Sequence, residues 1–139
     1  MSEVSYKSLG DAVERLREAL VRLDAHRGSE LYAPMRDSVL ISFQFTYAHC
    51  RLMLERYLVS TGKDARGVRK MRLADVVQSA KERGLLKADW AIWLGFRETL
   101  NEISRAYNEV VSERIAAQAP AFLGEAQYLY EQLCASGQL

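Results

Sequence analysis

Residues 34–60 read PMRDSVLISFQFTYAHCRLMLERYLVS, and their pattern decides the fold class. Pro34 suits the first helical position, where a missing N–H costs nothing. No further Pro or Gly interrupts the run before Gly62. Such a helix is a rod about 40 Å long. Val39, Phe43, Tyr47, Cys50, Leu54 and Tyr57 recur at helical spacing and form a broad apolar face. Ile41, Phe45, Ala48 and Leu52 form a second, narrower stripe on the opposite side. A surface helix needs one apolar face. A helix with two is either sandwiched in its own bundle or shared with a second copy.

Outward from this rod, the chain reads as helices throughout. One helix spans about Ser5 to His26, with Leu9, Val13, Leu16, Leu20 and Leu23 inward. Beyond Gly62, the basic stretch Lys63–Arg72 (KDARGVRKMR) reads as a glycine-punctuated loop. It is either a solvated connector or a loop that docks a phosphate or a partner. A short helix follows from Leu73 to Arg83, with Gly84 as its C′ residue. A fourth runs from Asp89 to Tyr107 and carries Trp90 and Trp93. Asn108 caps the last helical region, which Pro120 kinks or breaks. The expectation is an all-α, up-and-down bundle of about five helices, like a four-helix bundle, forming one domain over residues 1–139.

The totals narrow the function. With 139 residues, 49% hydrophobic and 27% charged, the chain can bury a substantial core. A net charge of +1 supplies no global field for nucleic acid or anionic membrane. Two separated cysteines and two histidines make neither a disulfide framework nor a histidine metal site. No metal and no cofactor is expected. The start of the chain lacks a signal-like apolar core and no run would span a bilayer, so a cytoplasmic setting is expected. Motifs for a nucleophile elbow, a P-loop or a zinc protease are absent, and no catalytic residue is assigned.

The best candidate site is a polar column on the fourth helix. Arg97, Asn101 and Arg105 stand at i, i+4 and i+8, with Tyr107 in support. Stacked arginines can hold a phosphate by charge-assisted bonds, and an amide can read a base or cap a backbone group. The bland alternative is that these groups satisfy the bundle or a dimer seam.

Three stretches resemble one known family. They are Arg36–Leu58, with its Phe-x-Phe-Thr-Tyr core, Gly84–Leu94 (GLLKADWAIWL), and Leu100–Glu109 (LNEISRAYNE). Together they are similar to the nucleotidyltransferase substrate-binding family, small helical proteins of the HEPN superfamily. The resemblance implies a homodimer, and the second stripe of the long helix, Ile41, Phe45, Ala48 and Leu52, is the interface expected from its spacing. It also implies a partner, a minimal nucleotidyltransferase subunit, in a two-component or toxin–antitoxin-like pair. Active HEPN ribonucleases carry an Arg and, a few residues on, a His in the third stretch. Here those positions hold Leu100 and Arg105. The expectation is therefore a non-catalytic nucleotide- or substrate-binding subunit. The alternatives are a divergent ribonuclease toxin and a dimeric scaffold without a ligand site.

Overall fold

The computed structural model describes residues 5–105 and 108–136. Six α-helices follow one another: α1 Lys7–Ala25, α2 Tyr32–Ser60, α3 Ala65–Lys70, α4 Leu73–Glu82, α5 Trp90–Asn101 and α6 Glu109–Ser136. A 3-10 turn, Ile103–Arg105, joins the last two. No strand occurs among the described residues. The protein is an all-helical bundle.

Helix α2 is its axis, packing against α1, α3, α4 and α6. It starts at Tyr32, two residues before the expected Pro34. Pro34 is tolerated there because every N–H of a first turn lacks an intrahelical acceptor. Val39, Phe43, Cys50 and Leu54 are wholly buried along one face, and Tyr47 nearly so. Leu9, Leu16 and Leu23 of α1 and Leu129 and Leu133 of α6 fill the same core. Gly10 lets α1 and α6 meet closely, since a Cβ there would sit 2.6 Å from the Tyr130 ring.

Five aromatic rings lock α2, α5 and α6 together. Phe122 stacks on Phe43 with centroids 4.8 Å apart and meets Tyr47, Trp93 and Phe96 within 6 Å. Offset and edge-on pairs of this kind add to the area they bury.

Three expectations change. The basic stretch is not all loop, because residues 65–70 form α3. The Asp64 carboxylate accepts from the Gly67 N–H at 2.9 Å, and Val68 is buried against the bundle. A cap and one anchor thus organise a segment with no visible apolar period. The fourth helix ends at Asn101 rather than Tyr107. The chain must reverse there to bring α6 back, and an ion pair between Glu102 and Arg114 of α6 holds the reversal. Finally, α6 runs unbroken through Pro120. That ring sits on the exposed side of α6, where water can serve a backbone group deprived of its donor. Other expectations hold. Asn108 caps α6 at the Val111 N–H, 2.9 Å away, and Gly84 takes the left-handed φ of +80° that ends α4.

Candidate functional site

The site begins with the cap of α5. The Asp89 carboxylate accepts from the Ile92 N–H, which starts the helix and fixes its rotation. Trp93 and Phe96 then face the core. Trp93 Nε1 donates to Glu125 Oε1 at 3.2 Å, and the same oxygen accepts from the Ala88 N–H at 3.1 Å. With α5 so oriented, Arg97 and Asn101 come out on the exposed side. Arg105 is also exposed, but it belongs to the 3-10 turn. The three do not form one helical column, because the helical period stops at Asn101. Tyr107 lies outside the described residues.

Arg97 has an electrostatic neighbour in Tyr47. The Tyr47 hydroxyl donates to the Trp93 carbonyl at 3.2 Å. Burial pushes this phenol up to about 12, while the Arg97 charge pulls the other way. Among the described residues no carboxylate pairs with Arg97 or Arg105. Two guanidiniums and an amide therefore face solvent near one end of α5, able to meet an anion.

A second polar group carries no motif in the sequence. Arg36, 7% exposed, is buried between the starts of α2 and α6. Its Nη1 lies 3.6 Å from Glu113 Oε1, and Asp37 is 4.0 Å from its Nε. The Tyr32 hydroxyl donates to Glu113, with Oε2 at 2.8 Å. That bond to the carboxylate raises the Tyr32 pKa. Arg36 Nε has no hydrogen-bond partner among the described residues. Sequence signals for this cluster are weak: Arg36 opens the first family-like stretch, but Glu113 lies 77 positions away and belongs to no motif.

The second stripe of α2 lies on the outer surface. Ile41 is 68% exposed, Phe45 50% and Leu52 39%, and Ala48 is exposed as well. The sandwiched alternative is thereby removed for the single chain. Val59 continues the stripe at the same helical angle. His49, beside it, rests its ring 4.6 Å from that of Phe45.

Among the described residues, no three His, Cys, Asp or Glu side chains gather where a metal could sit. No helix there is long and apolar enough to cross a membrane.

Comparison with known proteins adds the family. A relative named probable ribonuclease HepT, from Haemophilus influenzae, is 24% identical over 130 residues, 90% of this chain and 88% of the relative. A solved structure from Haemophilus influenzae is described as revealing the fold of a substrate-binding domain of a nucleotidyltransferase. It covers 93% of this chain and 98% of its own, with a TM-score of 0.84 and 22% identity, and shows a shared fold. The family model for "Nucleotidyltransferase substrate binding protein like" matches residues 4–135. The chain belongs to the nucleotidyltransferase substrate-binding protein family.

Proposed function

We propose that this protein is the non-catalytic, nucleotide- or substrate-binding subunit of a two-component nucleotidyltransferase. It works as a homodimer beside a minimal nucleotidyltransferase subunit, in an arrangement of toxin–antitoxin type. The family match across residues 4–135 carries this reading. The exposed groups of Arg97, Asn101 and Arg105 support it, because they can meet a phosphate without first breaking an ion pair. The exposed stripe Ile41, Phe45, Ala48 and Leu52 supports the dimer.

The name of the Haemophilus influenzae relative favours a second reading, a divergent ribonuclease. The side chain at 105 speaks against it. Cleavage of RNA without a metal needs a group that takes up and releases a proton near neutral pH. Histidine does so, and a guanidinium does not.

The test is co-expression with the product of the neighbouring reading frame, followed by size-exclusion chromatography with light scattering. A stable complex with a nucleotidyltransferase is expected. A lone chain that never associates with it defeats the two-component reading. In the complex, Arg97→Ala with Arg105→Ala should weaken nucleotide affinity at least about tenfold, the loss of two charge-assisted contacts, and leave the melting temperature unchanged. Unaltered affinity removes the proposed site. Metal-independent digestion of RNA by the purified protein above a buffer control would instead favour the ribonuclease.

A further inference from the structure

The charge of this chain is polarised along its sequence. Residues 56–83 carry eight basic and three acidic side chains, a net of +5 on a chain whose total is +1. The remainder is therefore at −4. The structure gathers the positive part around α3. Lys63, Arg66, Arg69, Lys70, Arg72 and Arg83 are all exposed. Arg83 comes from the end of α4, but its Nη1 donates to Thr61 Oγ1 at 2.9 Å, and its guanidinium lies 5.8 Å from the Tyr57 ring. It is thus pinned two residues from Lys63.

Arg72 has Asp75, at 3.1 Å. Among the described residues no carboxylate pairs with Lys63, Arg66, Arg69 or Lys70. Val68 faces the core, so Arg66 and Lys70 fall together on the outward side of α3, one turn apart. Like charges at that spacing repel. Arg66 also occupies the first turn, where the helix dipole disfavours a cation and the Asp64 cap offsets part of that cost. An external anion would relieve both.

We propose that α3 and the end of α4 form a docking surface for a nucleic-acid strand, held by its phosphodiester backbone. The lack of apolar side chains favours a strand over an acidic protein. The exposed large hydrophobic residues lie at Val21, Leu31, Ile41, Phe45, Leu52, Val59, Ile92 and Val110, with none between Ser60 and Asp89. A protein interface wants an apolar centre within a polar rim. A phosphate track needs only spaced cations and solvent-exposed approach. This surface is separate from Arg97, Asn101 and Arg105, and the inference does not rest on the nucleotidyltransferase reading.

The test is fluorescence anisotropy of the full-length protein with a labelled mixed-sequence 20-nucleotide RNA, from 25 to 200 mM salt. Six phosphate contacts give a slope of log K against log salt approaching about −4, at about 0.7 per contact for a single strand. Arg66→Ala with Lys70→Ala should weaken binding at least fivefold at low salt and flatten the slope by about 1.4. Arg17→Ala with Arg27→Ala removes the same charge from exposed positions on and just after α1 and should leave the slope unchanged. Equal losses in the two variants would reduce the effect to net charge and overturn the surface. So would no RNA binding at 25 mM salt, or an unchanged slope in the α3 variant. Tighter binding of a polyglutamate of matched length would overturn the choice of a nucleic acid.

Discussion

Arg36 is a cation held almost out of water by one half-exposed carboxylate, Glu113, which also receives the Tyr32 hydroxyl. Removing that carboxylate leaves a buried guanidinium facing Asp37, at 4.0 Å on the surface, and the Tyr32 ring, 5.9 Å away. Glu113→Ala should cost about 1–3 kcal/mol, the penalty for stranding a buried polar group, read as a lower midpoint in urea unfolding. Truncating Arg36 as well, with Arg36→Leu in the same chain, should recover part of it; an additive double loss would show the two side chains act independently. Tyr47 offers a second check. Its phenol is neutral in the folded protein up to about 12, whereas in the unfolded chain it ionises near its ordinary value of 10. Above the lower value the unfolded state releases a proton that the folded state keeps. Stability therefore falls with rising pH between these two values, by up to about 1.4 kcal/mol per pH unit. Tyr47→Phe should start less stable at pH 8, having lost the bond to Trp93, and converge on the parent by pH 11. Parallel curves would assign the alkaline loss to other tyrosines. Phe43, Tyr47 and Cys50 were legible as core from their spacing alone. The Arg36–Glu113 contact was not, because a pair 77 residues apart leaves no periodic trace.

At the scale of the element, α1, α2 and α4 were legible because each carries several apolar residues at helical period, with Gly62 and Gly84 as stops. Both stops adopt positive φ, +104° and +80°, which a side chain resists. Helix α3 was hidden because it has one buried residue, and one residue has no period. The end of α5 departs from the sequence pattern for the converse reason. Leu100 and Ile103 keep an apolar rhythm past Asn101, yet the Glu102–Arg114 pair and the 3-10 turn redirect the chain. Arg105 thus stands eight residues from Arg97 without joining its helical column. The weight placed on the Asp64 cap is testable. Asp64→Ala removes the acceptor of the Gly67 N–H and should cost about 1 kcal/mol, concentrated in α3. Amide exchange should accelerate at Gly67 and Val68 while the core of α2 keeps its protection. Uniform acceleration throughout the chain would mean that α3 unfolds only with the whole bundle.

For the whole molecule, the two-faced character of α2 carries the argument. The sequence showed two apolar stripes without saying which was internal. The bundle decides it: α1 and α6 cover the first, and Ile41, Phe45, Ala48 and Leu52 remain outside with Val59 in line. Such a row runs from residue 41 to residue 59, about 27 Å of helix, long enough for a seam between two copies. Its neighbours on α1 suit that use. Arg15, Glu18 and Arg22 flank a groove of about 500 Å³ that Ile41 and Phe45 also line, placing charges of both signs at the rim of an apolar strip. A dimer across this strip would bury Phe45 from both copies near its centre. Phe45→Glu would then place two carboxylates in the seam, where neither can keep its water without separating the copies. The wild-type chain should run as a dimer by light scattering, and the variant as a folded monomer with helical content intact by circular dichroism. Phe45→Leu, which keeps the surface apolar, should remain dimeric. A Phe45→Glu protein that stays dimeric would move the seam off α2 and leave the exposed stripe for a different partner.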